Sequence, residues 1–138
     1  MLRRGESVLV VEDDECLAQV IVMALRSEGF ETQTACDGID GCTSYFRHPT
    51  DWVVTDIQMP QLDGIAMMEC IRTFQPQVRA VYISGAVDEY RTLLEREIEQ
   101  YAAAVLPKPF SCSNLIKQLT ITASGGARPI EKNKNTRA

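Results

Sequence analysis

Five side chains could do chemistry together if the fold gathers them. Glu12 and Asp13 follow an apolar run at 8–11, Asp56 follows one at 52–54, Ser84 follows 81–83, and Lys108 follows 103–106. Three carboxylates in one place repel each other unless a cation sits among them. A hard divalent ion suits such a set, and Mg2+ binds through carboxylates while keeping waters and substrate oxygens as its other ligands. An amine and a hydroxyl beside that ion suit a phosphoryl group, the amine as a point charge and the hydroxyl as a hydrogen-bonding group. A carboxylate among them can be the nucleophile that forms an acyl phosphate. Each residue also has a plainer reading. Asp56 could cap a turn, and Glu12 and Asp13 could start a helix where its dipole favours acids. Ser84 could be a turn residue, and Lys108, between Pro107 and Pro109, a solvated loop residue. The coincidence of all the signals after apolar runs favours the chemical reading.

The elements that must position them read as an alternation. Residues 7–11 form a continuous apolar run of strand length. A helix over 16–28 follows, with Leu17, Val20, Ile21, Ala24 and Leu25 at helical spacing, Asp14 as its cap and Gly29 closing it in a left-handed conformation. Residues 30–35 make a short second strand. A helix from Asp37-Gly38 through Phe46 is weakened by Gly38 and Gly41. Val53 and Val54 suit a third strand covered on both faces, which ends at Asp56 before the Pro60 loop. Asp63 caps a helix over 64–74 that Pro76 ends. Strand four spans 79–83, and a charged amphipathic helix spans 87–100 with Leu93, Leu94 and Ile98 inward. Strand five spans 103–106, and a last helix spans 111–122 with Leu115, Ile116 and Leu119 inward. Strand and helix alternate five times with short connections, so a parallel sheet with helices on both faces is expected. Ligands of such sheets bind at the strand carboxyl ends, where the five side chains would stand.

Bulk properties narrow the function classes. The chain of 138 residues is long enough for one domain with a real core. It is 45% hydrophobic and 24% charged, ordinary for a globular protein. The net charge of −5 divides into about +3 beyond residue 123 and about −8 before it. An acidic body argues against a nucleic-acid surface. Cys16, Cys36, Cys42, Cys70 and Cys112 form no Cys-x-x-Cys pair, and with His48 as the single histidine no zinc spacing appears. Reduced thiols in a cytoplasmic protein are expected. No apolar run is long enough for a membrane span and the amino terminus lacks a signal peptide. Residues 1–122 are expected to form the domain, and 123–138, rich in Gly, Asn and charge, a disordered tail or the start of a linker.

The chain resembles the receiver domain of two-component response regulators, in the CheY-like superfamily. The resemblance rests on Val8-Leu9-Val10-Val11-Glu12-Asp13-Asp14, Gly29-Phe30 with Ala35-Cys36-Asp37-Gly38, Thr55-Asp56-Ile57-Gln58-Met59-Pro60-Gln61-Leu62-Asp63-Gly64, Ile83-Ser84-Gly85 and Leu106-Pro107-Lys108-Pro109-Phe110. It implies a flavodoxin-like, doubly wound five-stranded parallel sheet of order 2-1-3-4-5 with five helices. It implies Asp56 as phosphoacceptor, with Glu12, Asp13, Asp56 and the backbone carbonyl of Gln58 holding Mg2+. Ser84 would hydrogen-bond the phosphoryl group and Lys108 would pair with it. The donor would be a histidine kinase or histidine phosphotransfer protein. The output would be a protein target met through the helix 4–strand 5–helix 5 face, with no nucleic acid or membrane contact by this domain.

Two departures from the family stand out. The aromatic switch residue usual three positions before the lysine is Val105, so movement of Ser84 cannot couple to an aromatic rotamer in the usual way. The Gly-Ala pair usual before strand five is replaced by Gln100-Tyr101-Ala102-Ala103-Ala104, so that loop is expected to differ in shape. The positions that tune phosphoryl lifetime in the family are Gln58 and Ala86. The alternatives are a Mg2+-dependent phosphatase on a related fold and a binding-only pseudo-receiver. Gln58 stands where such a phosphatase often keeps its acid, and the intact five-residue set disfavours the pseudo-receiver.

Overall fold

The computed structural model describes residues 5–123. The elements run β1 (Ser7–Val11), α1 (Glu15–Ser27), β2 (Glu31–Ala35), α2 (Gly38–Arg47), β3 (Trp52–Asp56), α3 (Gly64–Phe74) and β4 (Arg79–Ser84). A single 3-10 turn, Asp88–Tyr90, leads into α4 (Arg91–Tyr101), then β5 (Ala104–Pro107) and α5 (Cys112–Ala123). All strand pairs are parallel, in the order β2-β1-β3-β4-β5. This is the flavodoxin-like order implied by the resemblance. α5 runs through Ala123, so the first position of the expected tail is helical, and the rest of that tail lies outside the described residues.

Strand alternation splits the core in two. Val8 and Val10 of β1, with Trp52 and Val54 of β3, face Ile21 and Leu25 of α1 and Leu115 and Leu119 of α5. Leu9, Val11 and Val53 face the other way, onto Met67, Met68 and Ile71 of α3 and Leu94 of α4. The central strand β3 is buried along its whole length, as a strand covered on both faces must be. Local signals act as read. The Asp14 carboxylate accepts from the Cys16 and Leu17 N–H groups, Asp63 accepts from Ala66 N–H, and Gly29 has φ +96°.

The α4 region departs from expectation. The helix expected from residue 87 begins at Arg91, because the preceding residues first wind as the tighter 3-10 turn. Leu93, expected inward, is exposed, and the buried stripe is Leu94 and Glu97. A buried glutamate reads in the sequence as one more surface charge, which rotated the expected face. The last strand is also shifted one residue, to 104–107, because its pairing partner is Val81–Ser84 of β4.

The loop before β5, where the family's Gly-Ala pair is replaced, turns at Ala102. Ala102 caps α4 in the left-handed region, with φ 56° and ψ 34°, and its N–H donates to Ile98 O. A Cβ is unfavourable in that conformation. Relief of the Cβ clash outweighs the extra chain entropy that glycine brings, so Ala102→Gly raises the unfolding free energy by about 0.5–1 kcal/mol. A shift of the urea midpoint upward at constant slope is the check.

Candidate metal and phosphoryl site

The end of β1 delivers Glu12 and Asp13, the end of β3 delivers Asp56, the end of β4 delivers Ser84, and the residue after β5 is Lys108. Parallel pairing puts all five on one sheet edge. One carboxylate oxygen each from Glu12, Asp13 and Asp56 lie within 4.8 Å of one another. Lys108 Nζ donates to Asp56 Oδ2 at 3.0 Å and lies 3.5 Å from Glu12 Oε1. Asp56 Oδ1 accepts from Ile57 N–H at 2.8 Å, which fixes its rotamer. Glu12 Oε2 accepts from Asp14 N–H at 3.0 Å.

Burial makes this arrangement electrostatically tense. Glu12 and Asp56 are buried, while Asp13 opens to solvent. Burial pushes the Glu12 carboxyl above the ordinary glutamate range. The Asp56 charge adds to the rise, and the Asp14 N–H and Lys108 work against it. Burial alone would lower the Lys108 amine. Its hydrogen bond to Asp56, and the charges of Asp56 and Glu12, outweigh that and hold it above the ordinary lysine value. Glu12 Oε1 is buried with no hydrogen-bond partner. A buried carboxylate oxygen that accepts no hydrogen bond, with Lys108 Nζ only at ion-pair range, among two other hard oxygen donors fits a divalent cation such as Mg2+.

The remaining expected residues take their places around this core. Ser84 is buried, its Oγ accepts from Ala86 N–H at 2.8 Å, and its carbonyl accepts from Lys108 N–H at 2.8 Å. Asp56 pairs with Ile83, so Ser84 stands one residue further along the same edge. A cleft of about 550 Å3 opens there between residues 84–89 and 107–108. Gln58 lies in the loop after β3, and its Nε2 donates to Glu89 Oε1 at 3.4 Å. Val105 is half-buried opposite Tyr82. Gly64 backs the site. A Cβ there would stand 2.2 Å from the Asp56 carbonyl oxygen. Since that neighbour is backbone, Gly64→Ala must shift the strand end, costing about 1–3 kcal/mol, read by urea denaturation.

A second polar cluster lies behind the site. The Tyr82 hydroxyl donates to Glu97 Oε1 at 2.5 Å, and Arg72 Nη1 donates to the same oxygen at 2.6 Å. All three side chains are buried, and the Arg72 guanidinium lies 3.7 Å from the centre of the Tyr101 ring. Burial first, and the Glu97 charge second, hold the Tyr82 hydroxyl well above the ordinary tyrosine value, so it stays a donor. This triad ties β4 to α3 and α4. The available signal was Arg72, a charge within the apolar row of α3.

Comparisons with known proteins point to one family. Residues 8–120 match the model of the response regulator receiver domain family. The chain is 33% identical over 114 residues to the transcriptional regulatory protein PrrA of Mycobacterium bovis, covering 81% of this chain and 47% of that protein. It thus spans about half of PrrA. It is 33% identical over 115 residues to the chemotaxis protein CheY of Treponema pallidum, covering 81% of this chain and 78% of that one. Among solved structures, it is similar to the receiver domain of the sensor histidine kinase PA1611 from Pseudomonas aeruginosa. That structure has a magnesium ion coordinated in its active-site cleft. The TM-score is 0.73 and the identity 28%, over 84% of this chain and 95% of that one.

Proposed function

The chain belongs to the response regulator receiver domain family, and on that premise we propose that Asp56 accepts the phosphoryl group. Receiver domains are generally signalling domains rather than enzymes. The acidic pocket of Glu12, Asp13 and Asp56 fits Mg2+ and aspartate phosphorylation. The observation that carries the reading is the Asp56 carboxylate, buried at the sheet edge with one oxygen on Ile57 N–H and the other on Lys108.

Each residue has a defined part. Asp56 is the nucleophile, its Oδ1 anchored and its Oδ2 directed at the site by Lys108. Glu12 and Asp13, with Asp56 and the Gln58 carbonyl, hold the metal. Bound Mg2+ supplies positive charge against the phosphoryl oxygens. Lys108 supplies a second positive charge beside the acceptor, and Ser84 a hydroxyl hydrogen bond. The donor is a phosphohistidine on a histidine kinase or phosphotransfer protein. The domain assists its own phosphorylation and the later hydrolysis. The output is a protein target reached through α4, β5 and α5. The domain is residues 1–122, and it works in the cytoplasm. Among the described residues no helix is long and apolar enough to cross a membrane.

Intact mass after incubation with Mg2+ and acetyl phosphate tests the reading. A gain of one phosphoryl group supports it, multiple turnover of a phosphoester would support a phosphatase, and no adduct would support a binding-only domain. Ala86 has no polar side chain to orient a hydrolytic water, so phosphoaspartate loss is expected to be slow to moderate. A lifetime of only seconds would count against that role for positions 58 and 86.

A further inference from the structure

A pair of thiols lies apart from the phosphoryl site. Helices α2 and α3 follow β2 and β3, parallel strands on either side of β1, and cover the same face, so they run in the same direction. They pack closely because of Gly41, where a Cβ would stand 2.5 Å from Met67 Sδ. Near the ends of these helices the Phe46 and Phe74 rings meet edge to face, with centroids 4.9 Å apart. Cys42 and Cys70 each lie four residues earlier, one turn back on the same stripe of each helix. The stripe that joins Phe46 to Phe74 therefore brings Cys42 beside Cys70. Both are free thiols; Cys70 is exposed and Cys42 is half-buried.

We propose that Cys42 and Cys70 form a redox-reactive dithiol, which a two-electron oxidant of the peroxide class closes to an intrachain disulfide between α2 and α3. The thiols divide the work by exposure. The exposed Cys70 sulfur attacks the peroxide, breaking the O–O bond to give a sulfenic acid, and the thiol proton leaves with the departing oxygen as water. The Cys42 sulfur then attacks the Cys70 sulfur, and its proton leaves with the hydroxyl as water. The two sulfurs lose two electrons and the peroxide gains them. Burial, with Cys70 adding to it, pushes the Cys42 thiol up to about 11. Cys42, half-buried and held as a thiol, enters second. Proximity in the helix pair offsets its weak acidity.

The test uses the full chain, reduced and then treated with hydrogen peroxide. The expected product is a monomer lighter by two hydrogens, with two of its five thiols no longer alkylatable. Peptide mapping finds the Cys42–Cys70 bridge, and dithiothreitol restores both thiols. In Cys42→Ser the bridge is lost and dimedone traps a sulfenic acid at Cys70; in Cys70→Ser no bridge forms. Five alkylatable thiols after oxidation, a bridge through Cys16, Cys36 or Cys112, or linkage only between chains would overturn the proposal. So would a Cys70 that stays reduced in Cys42→Ser. Asp56→Asn leaves all these readouts unchanged, so the dithiol stands or falls independently of phosphorylation.

Discussion

Asp56→Asn takes up no phosphoryl group from acetyl phosphate in the presence of Mg2+, under conditions where the unaltered chain gains one. The carboxamide is nearly the size of the carboxylate, and its oxygen can still accept the Ile57 N–H that now binds Oδ1. The strand end therefore keeps its shape. What disappears is the nucleophile and one charge of the metal set. Two effects on stability oppose each other. The charged hydrogen bond from Lys108 to Oδ2 is weakened. Repulsion of Glu12, which the Asp56 charge contributes to, is relieved. The variant should therefore unfold within about 1 kcal/mol of the parent while losing phosphorylation entirely. Intact mass and urea denaturation of the two proteins make the comparison. A phosphoryl adduct on Asp56→Asn would mean that a different side chain is the acceptor.

Glu97→Ala produces the largest loss of stability, about 3–5 kcal/mol. Glu97 Oε1 is the common acceptor for Tyr82 and Arg72, and both donors are buried. Its removal leaves a guanidinium charge out of water without a counter-ion. Arg72 already has Nε and Nη2 without hydrogen-bond partners, so the site has no spare acceptor to take over. Tyr82→Phe removes only one neutral donor and should cost about 1–2 kcal/mol. A double replacement, Arg72→Met with Glu97→Leu, removes both charges and should recover most of the loss. Guanidinium denaturation of the four proteins separates these values. If Glu97→Ala and Tyr82→Phe cost the same, the ion pair contributes nothing beyond its hydrogen bond to Tyr82.

The triad also bears on Val105. With no aromatic side chain at that position, the Tyr82 to Glu97 hydrogen bond still joins β4 to α4. Tyr82 lies two residues before Ser84 on the same strand.

Much of the fold was legible because its signals are local. Apolar runs of strand length, the carboxylate caps Asp14 and Asp63, Gly29 and the helical spacing of Ile21 and Leu25 each act within a few residues of themselves. So the five strands, the five helices and their alternation follow from the sequence. The site was legible for the same reason, since its acids, hydroxyl and amine follow strand ends and parallel strands end on one edge. Other features depend on residues distant in the chain. Glu97 reads as surface charge until Arg72, 25 positions earlier, meets it in the core. That contact turns the buried face of α4 and leaves Leu93 outside. Ala102 looks ordinary until the turn into β5 forces it left-handed, and Gly41 looks like a helix weakness until Met67 needs the space. The sequence by itself determined the elements and the chemistry at their ends, because both are set by neighbours along the chain. The tertiary structure decided the face of α4, the buried triad and the meeting of Cys42 with Cys70, because each depends on how elements far apart in sequence pack together.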